Sequence, residues 1–207
     1  MTAKPLSRSM LPLHSRRADI VPMLLPLLKG PFTVEAYQRL GELGVIGKDE
    51  RVELINGQIV EMSPIGDRHA HCVRRLLRLL SRRALDLAIV DAQNPVALGP
   101  RDAPQPDLAV LKPRADAYPH HPRPADILLL VEVADTTLAY DRDIKLPRYA
   151  AAGIPEVWVV DLAAQRLVSY REPAGDGYAE AHAFTLGDQL APLGLPSVSL
   201  AIADILG

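Results

Sequence analysis

One stretch limits the fold more than any other: Ile127-Leu128-Leu129-Leu130-Val131-Glu132-Val133. It is apolar without alternation, the pattern of a strand covered on both faces. A second run of this kind is Glu156-Val157-Trp158-Val159-Val160-Asp161. Between them, Tyr140 to Ala152 has helical character and Gly153 ends it. Strand, helix and strand in that order predict a parallel pair joined by a right-handed crossover. Layers must then cover both sides, so the class is α/β (α+β): a mixed β-sheet core flanked by helices, with additional hairpins. Pro147 inside the helical segment predicts a kink or a late start.

An acid at the end of such a strand is costly to bury unless it is paired, hydrogen-bonded or bound to a metal. Asp107 opens another strand-like run, Asp107 to Leu111, and Lys145 follows Glu132 in the crossover helix. Two acids at strand ends with a lysine behind them suit phosphodiester hydrolysis. One or two carboxylates hold a magnesium ion, and the ammonium orients a water or stabilises developing charge. The same residues have plainer readings: Asp107 capping the turn after Pro106, Glu132 paired with Arg142 or Lys145, and Lys145 solvated. Spacing alone leaves both open.

Upstream, Thr33 is an N-cap candidate for a helix from Val34 to Leu43, ended by Gly44. Arg51 to Ile55 and Gln58 to Met62 flank Asn56-Gly57, a strong hairpin signal. A long helix from Asp67 to Leu87 carries an apolar stripe that includes Cys72, Val73, Leu76 and Leu80. Arg75, Arg78 and Arg82 lie on another of its faces, which is either solvated or in contact with phosphates. Ala88 to Asp91 and Pro95 to Leu98 read as strands, and residues 112 to 126 as a loop in which His120 and His121 are exposed. Arg166 to Arg171 and Tyr178 to Phe184 form a hairpin, and Leu200 to Leu206 a short terminal helix.

A chain of 207 residues fits one domain, read here as 31–207. Residues 1–30, rich in proline and arginine, read as a flexible N-terminal extension. The net charge of −2 gives no global argument for binding nucleic acid, so any such binding needs a local patch. A single cysteine, Cys72, excludes an intramolecular disulfide and a cysteine-cluster zinc site, which suits a reducing cytoplasm. Its place on the apolar stripe predicts a buried core residue. Ile20 to Leu28 is apolar, but Pro22 and Pro26 interrupt it and no small-residue cleavage site follows, so neither export nor membrane insertion is expected.

The residues quoted so far belong to a longer series. It runs Arg51-Val52-Glu53-Leu54-Ile55-Asn56-Gly57, Met62-Ser63-Pro64, Arg68-His69, Pro106-Asp107-Leu108-Ala109-Val110, Val131-Glu132-Val133 and Tyr140-Asp141-Arg142. It continues with Lys145, Tyr149-Ala150 and Gly153-Ile154-Pro155-Glu156-Val157-Trp158-Val159-Val160-Asp161. In order and spacing it resembles the Uma-type restriction endonucleases of the PD-(D/E)XK nuclease superfamily, over residues 32 to 206. The resemblance implies a restriction-endonuclease-like core and a DNA endonuclease dependent on Mg2+, with Mn2+ as a substitute. It implies Asp107 and Glu132 as metal-binding carboxylates, Glu53 as a further acid of the site, and Lys145 as the catalytic lysine. His69 matches a position at the site's edge where a phosphate or water contact, or a structural hydrogen bond, is expected; Arg75 and Arg78 are further phosphate-contact candidates. A homodimer is implied because two sites are needed to cut both strands. Three positions depart from the pattern: Ala134 stands where the signature has lysine, Gln58 where an acid is common, and Asp135-Thr136 where Ser-Pro is common. The alternative is a nuclease-fold binding or regulatory module without turnover.

Overall fold

A computed structural model describes residues 31–47 and 49–207. The expected extension over residues 1–30, with its apolar segment Ile20 to Leu28, lies outside the described residues. The chain begins with helix α1 (Val34–Glu42), the hairpin of β1 (Val52–Ile55) and β2 (Gln58–Glu61), and helix α2 (Asp67–Ala84). Strands β3 (Ile89–Ala92), β4 (Leu108–Leu111) and β5 (Ile127–Ala134) follow. The crossover is α3 (Leu138–Tyr140), a π turn (Asp141–Lys145) and α4 (Leu146–Ala151). Then come β6 (Glu156–Asp161), β7 (Arg166–Ala174), β8 (Gly177–Phe184), the short pair β9 (Gln189–Leu190) and β10 (Leu200–Ala201), and α5 (Ile202–Leu206).

Six strands form the main sheet in the order β3-β4-β5-β6-β7-β8. Only β5 and β6 run parallel; every other neighbouring pair is antiparallel. This is the mixed sheet expected from the two unalternated runs. Leu108, Val110, Leu129, Val131, Val133, Trp158 and Val160 meet Cys72, Val73, Leu76 and Leu80 of α2. The residues between them, Ala109, Leu111, Leu130, Val157 and Val159, meet Leu146, Tyr149 and Ile154 on the other side. Side chains alternate across a strand, so two covered faces require an apolar residue at every step. Leu129 and Leu130, neighbours in sequence, are both fully buried, each in a different layer. Truncating either to alanine would cost about 2–5 kcal/mol.

Local signals account for several boundaries. The Thr33 side chain accepts from the Ala36 N–H at 3.2 Å and caps α1. Asn56 (φ 49°) and Gly57 (φ 75°) make the tight turn of the first hairpin. Pro147 falls in the first turn of α4, where its missing N–H is not needed. Just before it the helix widens, and the Leu146 N–H reaches back five residues to the Asp141 carbonyl. Two expectations are corrected. The long helix stops at Ala84 because Leu85 takes a left-handed φ of 44°, and Leu85–Leu87 is a 3-10 turn. Pro95 to Leu98 is not a strand: the N–H groups of Val96, Ala97 and Leu98 bond to the loop carbonyls of Pro104, Pro122 and Asp102.

Candidate active site

The sheet register brings two of the acids together. Leu108 pairs with Val131 and Ala109 with Leu130, so the register continued by one step sets Asp107 opposite Glu132. By strand alternation Asp107 shares a face with Ala109 and Leu111, and Glu132 with Leu130, all on the side covered by α4. Asp107 Oδ2 accepts from the Val133 N–H at 2.8 Å and lies 3.0 Å from His69 Nε2. His69 stands in the first turn of α2. Its other ring nitrogen, Nδ1, is sealed from solvent and has no partner among the described residues.

The π turn supplies the cation. Asp141 and Lys145, at its two ends, are both buried although they belong to a helix that begins at the surface. Lys145 Nζ donates to Glu132 Oε1 and to the Gln105 carbonyl, each at 3.0 Å, and lies 3.4 Å from Glu53 Oε2. Glu53 arrives from β1, held by the Gln105 N–H at 2.9 Å and the Tyr140 hydroxyl at 2.7 Å. One helical turn beyond Lys145, the fully buried Tyr149 donates its hydroxyl to Glu132 Oε1 at 2.6 Å. Of the plainer readings, pairing of Glu132 with Lys145 holds, whereas Arg142 pairs with its neighbour Asp143. Lys145 is 3% exposed, so it is not a solvated side chain.

Charge at this site is unbalanced. Among the described residues, Glu53, Asp107, Glu132 and Asp141 are buried around one buried ammonium, that of Lys145. Burial pushes the Glu132 carboxyl well above the usual carboxylate range; Lys145 opposes that rise, while Asp141 and Asp107 add to it. Burial likewise raises Asp141, against the pull of Lys145. For Lys145 burial acts to lower the pKa, but Glu132, Glu53 and Asp141 outweigh it and hold the ammonium above the ordinary lysine range.

These groups line one cavity of about 500 Å3, together with Arg51, Glu61, Gln105 and the 135–137 loop. A larger cleft, about 710 Å3, lies between α1 and the 117–122 loop and holds none of the site carboxylates. The donor set fits a hard divalent cation. Glu132 Oε2 accepts no hydrogen bond among the described residues. His69 Nδ1 is the only sealed polar side-chain atom there without a partner, so Glu132 Oε2 opens to the cavity. No three His, Cys, Asp or Glu side chains among the described residues are grouped to hold a metal by themselves. Two carboxylates with water completing the shell are the arrangement that magnesium prefers.

Of the residues singled out from the sequence, Asp107, Glu132, Lys145, Glu53 and His69 converge on this cavity. Arg75 and Arg78 do not line it; Arg78 is exposed further along α2 and Arg75 is half-buried. Asp141, Tyr140 and Tyr149 were not singled out as site residues. Asp141 and Tyr149 stand four residues either side of Lys145, which places all three on one helical face; that signal was available. Tyr140 is marked only by its place in the Tyr140-Asp141-Arg142 motif of the resemblance.

The family model Uma2, described as "Putative restriction endonuclease", matches residues 34–203. Among solved structures, the chain is similar to a "putative nuclease belonging to DUF820" from Anabaena variabilis ATCC 29413. The TM-score is 0.65 at 16% sequence identity, covering 85% of this chain and 98% of that one. That likeness establishes a shared fold. No curated protein matches the chain. Among the described residues no helix is long and apolar enough to cross a membrane.

Proposed function

Because the chain belongs to the Uma2 restriction-endonuclease family, we propose that it is a metal-dependent endonuclease hydrolysing phosphodiester bonds in DNA. One observation carries this reading: the Lys145 ammonium lies within 3.4 Å of both Glu53 and Glu132, in a cavity that Asp107 also lines. Ala134 departs from the signature, and Lys145, delivered by the π turn, supplies the cation that a lysine there would have brought.

Asp107 and Glu132 would hold a divalent cation, magnesium or manganese in its place. Such a cation neutralises phosphate charge and supplies water more acidic than bulk water. The chain's own groups do the rest. His69 and the Val133 N–H fix the Asp107 carboxylate. Lys145, held as an ammonium by Glu132, Glu53 and Asp141, donates hydrogen bonds and stabilises developing negative charge. Gln105 and Glu53 hold the ammonium at the cavity wall. Hydrolysis of both strands calls for two copies of the chain. Light scattering of the eluting protein tests this, with twice the chain mass expected and a monomer mass counting against it.

The direct test is nicking of supercoiled plasmid. Cleavage is expected with Mg2+ or Mn2+, abolished by EDTA and lowered at least about hundredfold in Asp107→Ala. No cleavage of DNA by the unmutated protein with either ion overturns the reading. One observation favours a second function, a binding module without turnover: Lys145 already meets three protein acceptors, as a purely structural counter-ion would. Gel shifts that persist in Glu132→Ala, with no cleavage by the unmutated protein, would select it.

A further inference from the structure

Glu132 is gripped on one side only. Lys145 Nζ at 3.0 Å and the Tyr149 hydroxyl at 2.6 Å both donate to Oε1. No group among the described residues donates to Oε2, which opens to the cavity. A glutamate has a freely turning terminal carboxyl, and its two oxygens are equivalent until something distinguishes them. Two donors on one oxygen hold the plane of this carboxylate and leave the lone pairs of Oε2 for the cavity.

We infer that Tyr149 is a positioning residue for the cation site: its hydroxyl fixes Glu132 Oε1 so that Oε2 is presented to a divalent metal. The inference rests on the reading that Asp107 and Glu132 hold that metal.

Three features set Tyr149 apart from an ordinary core tyrosine. It is fully buried, so its hydroxyl needs a partner and cannot borrow one from solvent. That partner is a site carboxylate 17 residues away in sequence. Finally, Tyr149 on α4 stands one helical turn after Lys145, and Leu146 and Tyr149 pack against β5 and β6, so one continuous helical segment delivers both donors. Lys145 alone could not do this, because its ammonium is shared with Glu53 and with the Gln105 carbonyl. Tyr140 has the matching place on Glu53 Oε1. It is only half-buried, and Glu53 opens no unpartnered oxygen: the Gln105 N–H and Lys145 occupy Oε2. Tyr149 is therefore the clamp that leaves a free ligand atom.

Tyr149→Phe removes one oxygen and keeps the ring that fills the core. Calorimetric titration with Mn2+ alone, without DNA, reads the site directly. The dissociation constant is expected to rise about tenfold or more in Tyr149→Phe, the usual consequence of removing a partner of a metal ligand. In a Glu132→Gln background the same substitution should change Mn2+ affinity less than twofold, because the group it positions is no longer a carboxylate. Equal losses in both backgrounds would reveal a merely structural role and overturn the inference. Unchanged Mn2+ affinity in Tyr149→Phe would overturn it while leaving the nuclease reading intact. An unmutated protein that binds no Mn2+ would overturn both. A measurement on the unmutated protein covers the case in which the variant does not fold. The 13Cζ resonance of Tyr149 should shift on titration with Mg2+, and a resonance that stays fixed while Mg2+ binds contradicts the inference.

Discussion

Lys145 shows how one residue serves stability and chemistry together. Its ammonium is the counter-charge of two buried carboxylates, Glu53 and Glu132. Removing it leaves them uncompensated, and breaking such a pair costs about 3–5 kcal/mol. Lys145→Met should therefore lower the unfolding free energy by about that amount in urea titration, as well as abolish nicking. A variant as stable as the unmutated protein would show that the carboxylates are neutral or solvated. Cys72 makes the opposite case, a residue with packing and no chemistry. It is 4% exposed, and burial pushes its thiol up to about 11. The folded state thus holds the proton more tightly than the unfolded chain, whose cysteine titrates near about 8.5. The stability this contributes is complete below about pH 8.5 and is lost as pH rises toward about 11. Reaction with a disulfide reagent at about pH 8 should be at least about a hundredfold slower than in urea, since the thiolate is the nucleophile. Equal rates would contradict the burial.

At the scale of elements, α2 joins a site residue to a basic surface. His69 faces the sheet, whereas Arg74, Arg78 and Arg82, each four residues apart, are exposed on the opposite side. Arg68 and Arg83 have carboxylate partners in Asp135 and Asp204; the three exposed arginines have none among the described residues. Like charges at this spacing cost about 0.2–0.5 kcal/mol per pair, which a phosphate backbone would offset. DNA binding by the Asp107→Ala protein should therefore depend on salt. Replacing Arg78 and Arg82 together by alanine should reduce the log–log slope by about 0.9 for each phosphate that is no longer neutralised. An unchanged slope assigns this face to solvent. The elements also show what the sequence could reveal. The two unalternated strands, the Asn56-Gly57 turn and the Thr33 cap were legible, because each rests on a local rule that packing did not override. The π turn was not. Pro147 marked an irregularity, but a kink, a late start and a widened turn satisfy a missing N–H equally well; the burial of Asp141 and Lys145 selects among them. Pro95 to Leu98 failed for the converse reason, since Val96 is buried and the backbone N–H groups of the segment bond to carbonyls of two loops instead of a neighbouring strand.

For the whole molecule, the net charge of −2 says little, because the electrostatics are local. Acids concentrate at one end of the sheet and arginines along one helix. The convergence of Asp107 and Glu132 was half-legible. Strand alternation puts each on a definite face, but which faces coincide depends on the β4–β5 register, a long-range fact. Lys145 reaches them because the crossover between the parallel strands β5 and β6 lays α4 over that face. Whether Asp107 and Glu132 share one cation is read from a crystal of the protein soaked in manganese. One anomalous peak is expected about 2.0–2.3 Å from a carboxylate oxygen of both Asp107 and Glu132, with Tyr149 and Lys145 still on Glu132 Oε1. A peak elsewhere on the surface, or none at this cavity while Mn2+ is abundant, would contradict it.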